Sequence, residues 1–202
     1  MHESTTGRDH ATAGVLDAPD EELVRLAQQG DRPAREELFR RHWEVSFRVA
    51  RRLLGNEQDT FDAVQDGFFK AVVHLGNFDG RSKFGTWLLR VVTNAALDAG
   101  RRRRRHPALR LADSESLGAE AAVDDDPSRG LHRQDLRRAL DAALGRLSTK
   151  LRTTFVLFAE AGLSYQEIAD CQGVPLGTVM SRLHSARQKL QADLGGDHAT
   201  GF

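Results

Sequence analysis

Lys83, Trp87, Arg90 and Asn94 fall four, three and four residues apart, a spacing that places them on one face of a helix. Two cations, an indole and a carboxamide on one face suit a single nucleic-acid strand. The cations meet phosphate, the ring offers a base a stacking surface, and the amide can hydrogen-bond an extruded base edge. A plainer arrangement also fits, with Trp87 in a core and Lys83 and Arg90 as its solvated neighbours. Arg101, Arg102, Arg103, Arg104 and Arg105 follow on the same helical stretch, and their charges would track phosphates.

A second constellation lies near the C-terminus. Ser164 and Glu167 have capping-box spacing, in which each side chain satisfies a free backbone donor. Gly173 permits a tight left-handed turn, and Pro175 sets the first turn of a longer helix. On that helix Val179, Leu183, Ala186 and Leu190 form one stripe, while Ser181, Arg182, His184, Ser185, Arg187 and Gln188 lie opposite. A short helix, a glycine turn and a longer helix with a polar, basic outer face make the layout of a DNA recognition unit. An ordinary helical hairpin shares it. In the DNA reading, the first turn of the longer helix enters the major groove, where arginine pairs with guanine edges and hydroxyls with several bases. Backbone donors around Thr178 would meet phosphate. Arg182 and Arg187 could bond either phosphate or base.

Asp62, Gln65, Asp66 and Phe69 form a third group. They lie off the apolar stripe of their helix and leave an aromatic ring among acidic and amide groups, a common protein-docking arrangement. One randomly exposed Phe would look the same.

These groups need helices to hold them, and the periodicity supplies only helices. In the N-terminal half we expect one from about Asp20 to Gln29. A longer one, capped by Asp31 with Pro33 in its first turn, ends near Gly55. A third buries Phe61, Val64, Phe68, Ala71 and Leu75, and a fourth from about Ser82 buries Phe84, Leu88, Val91 and Ala95. In the C-terminal half, Leu136, Leu140, Leu144 and Leu147 mark one helix, and Leu151, Phe155 and Phe158 another closed by Gly162. The pair around Gly173 completes the set. The expectation is an all-α protein of two small helical domains, 20–105 and 131–194. A flexible acidic linker at 106–130 joins them, with a disordered tail at 1–19 and a short tail at 195–202.

Composition narrows the chemistry. The 202 residues are 40% apolar, enough for a modest core in each domain. Equal numbers of basic and acidic residues, 29 each, cancel formally. They are nevertheless segregated, the Arg101–Arg105 block and Arg110 preceding Asp113, Glu115, Glu120, Asp124, Asp125 and Asp126. Such neighbouring blocks suit an interaction surface beside a solvated tether, or simply a soluble linker. No run approaches the roughly twenty apolar residues of a membrane span, and the N-terminus lacks a signal-peptide core. The single cysteine, Cys171, excludes an intramolecular disulfide. It suits a small packing residue better than a redox switch. The expectation is a soluble cytoplasmic protein without cofactor or metal. The eight histidines are scattered, and no phosphate-cradling loop, paired-histidine zinc motif or nucleophile elbow is present, so an enzyme is not expected.

The segments Asp62–Ala71 (DAVQDGFFKA), Phe78–Asn94 (FDGRSKFGTWLLRVVTN), Gly162–Ala169 (GLSYQEIA) and Val174–His184 (VPLGTVMSRLH) resemble, in order and spacing, those of extracytoplasmic-function (ECF) RNA polymerase sigma factors. The resemblance runs from about Asp20 to Leu194, interrupted by the linker. It implies that Asp62, Gln65, Asp66 and Phe69 dock on the clamp helices of the largest subunit of core RNA polymerase. It implies that Lys83, Trp87, Arg90, Asn94, Arg101 and Arg102 read and open the minus-ten promoter element. Thr178, Ser181, Arg182, His184, Ser185 and Arg187 would bind the minus-thirty-five element in promoter DNA, with region four also meeting the polymerase flap. The linker would thread polymerase channels, and an anti-sigma factor, often membrane-bound, would restrain the protein. Met180 and Ser185 stand where many relatives carry arginine, and Gly67 and Phe69 replace a small and an aliphatic residue of the docking motif. The rival function is a conventional helix-turn-helix regulator binding duplex operators, which leaves the aromatic–basic face and the acidic patch unexplained.

Overall fold

The computed structural model describes residues 17–105 and 127–194. Residues 106–126 of the linker expected at 106–130, with its acidic run, residues 1–16 of the tail expected at 1–19, and the tail at 195–202 lie outside the described residues.

Among the described residues the chain forms eight α-helices and one 3-10 turn, matching the all-α expectation. In the N-terminal half they are α1 (Asp20–Gln28), α2 (Arg32–Leu54), α3 (Glu57–His74), the turn Leu75–Asn77, and α4 (Phe84–Arg105). In the C-terminal half they are α5 (Pro127–Arg146), α6 (Thr149–Ala159), α7 (Tyr165–Gln172) and α8 (Leu176–Leu194). Boundaries follow local chemistry. The Asp31 carboxylate accepts the Ala34 amide at 2.8 Å to start α2, and Gly55 ends it at φ 85°. Asn56 caps α3 through the Asp59 amide at 2.8 Å. Helix α5 begins at Pro127, inside the stretch expected to be linker. Ala18 and Pro19, expected in the tail, are engaged: the Ala18 carbonyl accepts from Arg41 Nη1 at 2.7 Å, and Pro19 is the N-cap residue of α1.

Several stripes differ from expectation; on α4, for instance, Val91 is half-buried and Val92 takes the core position. On α3, Phe61 is 43% exposed, and the buried set is Thr60, Ala63, Val64, Gly67 and Ala71. The reason is a close crossing with α4: a Cβ on Gly67 would sit 3.0 Å from Val92 Cα. Small residues therefore face α4, while Phe61 turns its edge to Trp43 at a centroid distance of 6.0 Å. On α6, Leu151, Phe155 and Phe158 are only half-buried, and Thr153, Thr154, Val156 and Leu157 fill the core. The two threonine hydroxyls are accommodated by donating to Thr149 O and Lys150 O, both at 2.8 Å. Leu136, read as an inward residue of α5, is 49% exposed. The stripe of α8 is as expected, with Val179, Leu183, Ala186 and Leu190 all buried.

The halves are packed directly together. One apolar cluster joins Leu38, Val49, Val64, Leu88 and Val92 to Val156, Leu157, Ile168, Val179 and Leu183, and a second ties α5 to α8 through Ala143, Leu144, Leu147, Ala186 and Leu190. Helix α4 meets α7, and α2 meets α6.

Candidate nucleic-acid interface

The loop before α4 and the start of that helix are held by aromatic packing. Phe84 is buried against Phe39 (5.7 Å), Phe78 (5.8 Å) and Trp87 (5.6 Å). His42 lies beneath it, 5.4 Å from the Phe84 ring, and bonds Asp20 at 2.6 Å. A Cβ on Gly85 would meet His42 Cε1 at 2.8 Å, so any larger residue there would displace the His42 ring. Gln28 of α1 anchors the loop by donating to Leu75 O (3.0 Å) and Phe78 O (2.8 Å). An open groove results between α1 and the loop, lined by Asp20, Val24, Gln28, Phe78, Lys83 and Phe84.

From this base α4 carries the expected face. Lys83, just before the helix, is exposed, as are Arg90 and Asn94. Trp87 is half-buried, with its ring 5.2 Å from Phe78, so part of the indole is spent on packing. Further along, Arg101 pairs with Asp98 and Arg102 is exposed. Arg103 bonds Asp59 at 3.1 Å, tying the end of α4 to α3. The basic block thus continues one helix rather than opening into a loop.

Helix α3 presents its own outward surface. Asp62 and Gln65 are exposed, Asp66 pairs with Lys70 at 2.7 Å, and Phe69 is 70% exposed. Phe61, Val72 and Val73 are exposed on the same helix. An apolar strip bordered by carboxylates is therefore left uncovered by the rest of the described residues.

In the C-terminal half the helix-turn-helix has the expected frame. Ser164 and Glu167 form both bonds of a capping box, and Gly173 takes φ 63° between α7 and α8. On α8, Ser181 and His184 are exposed, and the Ser181 hydroxyl donates to Thr178 O at 3.1 Å. Thr178 and Ser185 are half-buried. The two arginines are engaged within the unit. Arg182 donates to Gln172 Oε1 at 2.7 Å, an acceptor it shares with the Thr154 hydroxyl at 3.1 Å. Arg187 lies 5.1 Å over the Phe158 ring, with the Tyr165 hydroxyl at 3.5 Å.

Sequence reasoning missed Gln172, which links α6, α7 and α8, and the second role of Glu167. Besides capping α7, Glu167 pairs with Lys83 at 2.9 Å. The Lys83 ammonium, then the Ser164 amide and hydroxyl, hold the Glu167 carboxyl down at about 2. Arg52 makes a parallel bridge, bonding Glu160 at 2.7 Å and pairing with Asp141. Partners so far apart in the chain leave no local signal. Across the same junction Arg152 Nε has no hydrogen-bond partner among the described residues, and burial, then the nearby Arg104 charge, depress its pKa. Cys171 is buried and its thiol is pushed up to about 12 by burial, against the opposing influence of Arg90. Among the described residues no cluster of three or more His, Cys, Asp or Glu could hold a metal, and no helix is long and apolar enough to cross a membrane.

Comparison with known proteins gives this geometry a lineage. Residues 38–106 match the family model of Sigma-70 region 2, and residues 137–190 match that of Sigma-70, region 4. The chain is 38% identical over 164 residues to the ECF RNA polymerase sigma factor SigE of Mycolicibacterium smegmatis, covering 81% of this chain and 62% of that longer protein. It is 32% identical over 180 residues to the RNA polymerase sigma-H factor of Pseudomonas aeruginosa, covering 87% and 93%. Two solved structures share the fold. CnrH in complex with the cytosolic domain of CnrY aligns with a TM-score of 0.68 and 31% identity, covering 89% of this chain and 99% of that one. The sigma factor RpoE in complex with the anti-sigma factor NepR, from Bartonella quintana, aligns at 0.61 and 26%, covering 81% and 98%. The conventional operator-binding regulator is not favoured by matches to both regions in one chain. The chain belongs to the ECF RNA polymerase sigma factors, the regulatory subunits that direct core polymerase to promoters.

Proposed function

We propose that this sigma factor divides its work among three helices: α3 docks on core polymerase, α4 engages and opens the minus-ten element, and α8 reads the minus-thirty-five element. The observation that carries this assignment is the uncovered strip on α3. Phe69 is 70% exposed beside Asp62, Gln65 and Asp66, a feature a duplex-binding regulator would not need. The docking partner is the clamp-helix surface of the largest polymerase subunit, with region four on the flap. On α4, Arg90, Asn94, Arg101 and Arg102 supply donors and charge to a separated strand, and the exposed part of Trp87 supplies the stacking surface.

Opening of the chain belongs to this mechanism. Glu167 pairs with Lys83 and would repel a phosphate brought there, and α7 packs against α4. Polymerase therefore has to draw the two units apart, and by fixing their spacing it raises the effective concentration of each on DNA. The Bartonella relative is bound by an anti-sigma factor; a protein of that class restrains this chain in the cell, where it works in the cytoplasm without catalysing a reaction.

The test is co-elution of the full chain with bacterial core polymerase. The unsubstituted protein should co-elute, and Phe69→Ala, at a site too exposed to disturb the fold, should weaken association about tenfold or more, as loss of a docking aromatic does. Undiminished binding by Phe69→Ala would move the docking site elsewhere.

A further inference from the structure

The outer face of α8 carries an apolar strip that the polar layout of a DNA reader does not explain. Met180 is 52% exposed and Leu176, one turn earlier, is 40% exposed. Both lie in the half of α8 next to the Gly173 turn, the end that enters the major groove in helix-turn-helix proteins. Of the neighbouring arginines, Arg182 donates to Gln172 at 2.7 Å, while Arg187, two turns from Met180, lies 5.1 Å over the Phe158 ring with part of its guanidinium exposed. The exposed side chains around Met180 are Ser181 and His184. The groove-facing surface is therefore poor in free guanidinium groups and has a flexible thioether at its centre.

Resting on the minus-thirty-five reading of α8, we infer that Met180 is a specificity-determining residue that recognises the C5 methyl group of a thymine. In the major groove that methyl is the apolar mark separating a T·A pair from the other three, and an apolar side chain is its ordinary partner. A long, unbranched thioether can fit the methyl without fixed hydrogen-bond geometry. Ser181, beside it, can bond several bases and adds little discrimination of its own. Leu176 extends the apolar contact toward the adjoining base or sugar.

The test uses holoenzyme reconstituted from the full chain and core polymerase. Duplexes are first selected from a library randomised across the minus-thirty-five element. Each thymine in the selected element is then replaced singly by uracil, which deletes the methyl and leaves every hydrogen-bonding edge intact. At one position uracil should weaken binding about threefold to fivefold, the factor for one buried methyl. In Met180→Ala that thymine–uracil difference should vanish, while Met180→Leu should keep it. Repeating the selection with Met180→Arg should shift the position toward guanine. A uniform response to uracil, or a difference that persists in Met180→Ala, overturns the inference while leaving the sigma-factor assignment standing. Failure of the unsubstituted holoenzyme to select any duplex would overturn both.

Discussion

Asn94 illustrates how a residue's surroundings assign its work. It is exposed on α4 while its neighbours Thr93 and Ala95 are buried, so its amide is available and contributes little to the core. Asn94→Ala should leave thermal stability within about 0.5 kcal/mol of the parent yet reduce promoter opening by about tenfold, the loss expected for one good polar contact to a base. Permanganate reactivity beside a gel shift checks this: opening should fall while closed-complex formation holds, and equal losses in both would remove Asn94 from the melting step. Trp87 is a mixed case. Its position was legible in the spacing of Lys83, Trp87, Arg90 and Asn94, but its packing on Phe78 and Phe84 was not. Those contacts depend on a loop held by Gln28, about fifty positions away. Arg182 and Arg187 show the same limit. Their helical face is readable from periodicity, whereas their partners Gln172 and Phe158 appear only when three helices meet.

At the level of elements, the crossing of α3 and α4 rests on Gly67. With Val92 Cα 3.0 Å from the place a Cβ would occupy, Gly67→Val must push the helices apart, at a cost of about 1–3 kcal/mol from overpacking. Urea unfolding should show that loss, together with weaker association with core polymerase if α3 shifts; unchanged stability would mean the crossing is looser than described. The helices themselves were readable because their ends carry chemistry: Asp31 and Gly55 on α2, and Ser164, Glu167 and Gly173 around α7, lie where capping rules place them. The inward faces of α3 and α6 were misread because periodicity rewards large apolar residues. These crossings instead bury Gly67, Ala63, Thr153 and Thr154, residues selected by close approach or by a hydroxyl bonded within its own helix. The break in pattern after Arg105 separates two helical regions, and a different family model matches on each side of it, but direct packing of α4 on α7 had no signature in either segment.

For the whole molecule, the junction between the halves balances attraction against repulsion. Lys83–Glu167 and the Arg52 bridge to Glu160 and Asp141 hold it closed, while the Arg104 charge acts on half-buried Arg152 across it. Such a joint can be displaced by a partner that offers each face something better. Glu167 gives it a pH dependence with a defined sign. Its folded pKa of about 2 lies below the ordinary 4.5, so its stabilising contribution is complete above about 4.5 and is lost as pH falls toward 2. Small-angle scattering should show the parent opening across that window. Glu167→Gln, which can still serve the capping box, should be more open near neutrality and lack that part of the acid response. Identical curves for the two would exclude the pair as a clasp. Closed or open, the account stands on one chain docking on polymerase, melting one element and reading another. Run-off transcription by core polymerase, with and without this protein, on a promoter chosen by the holoenzyme tests that most directly. Transcripts should begin at one defined start only when the protein is present; their absence, with active core enzyme and bound DNA, would contradict the account.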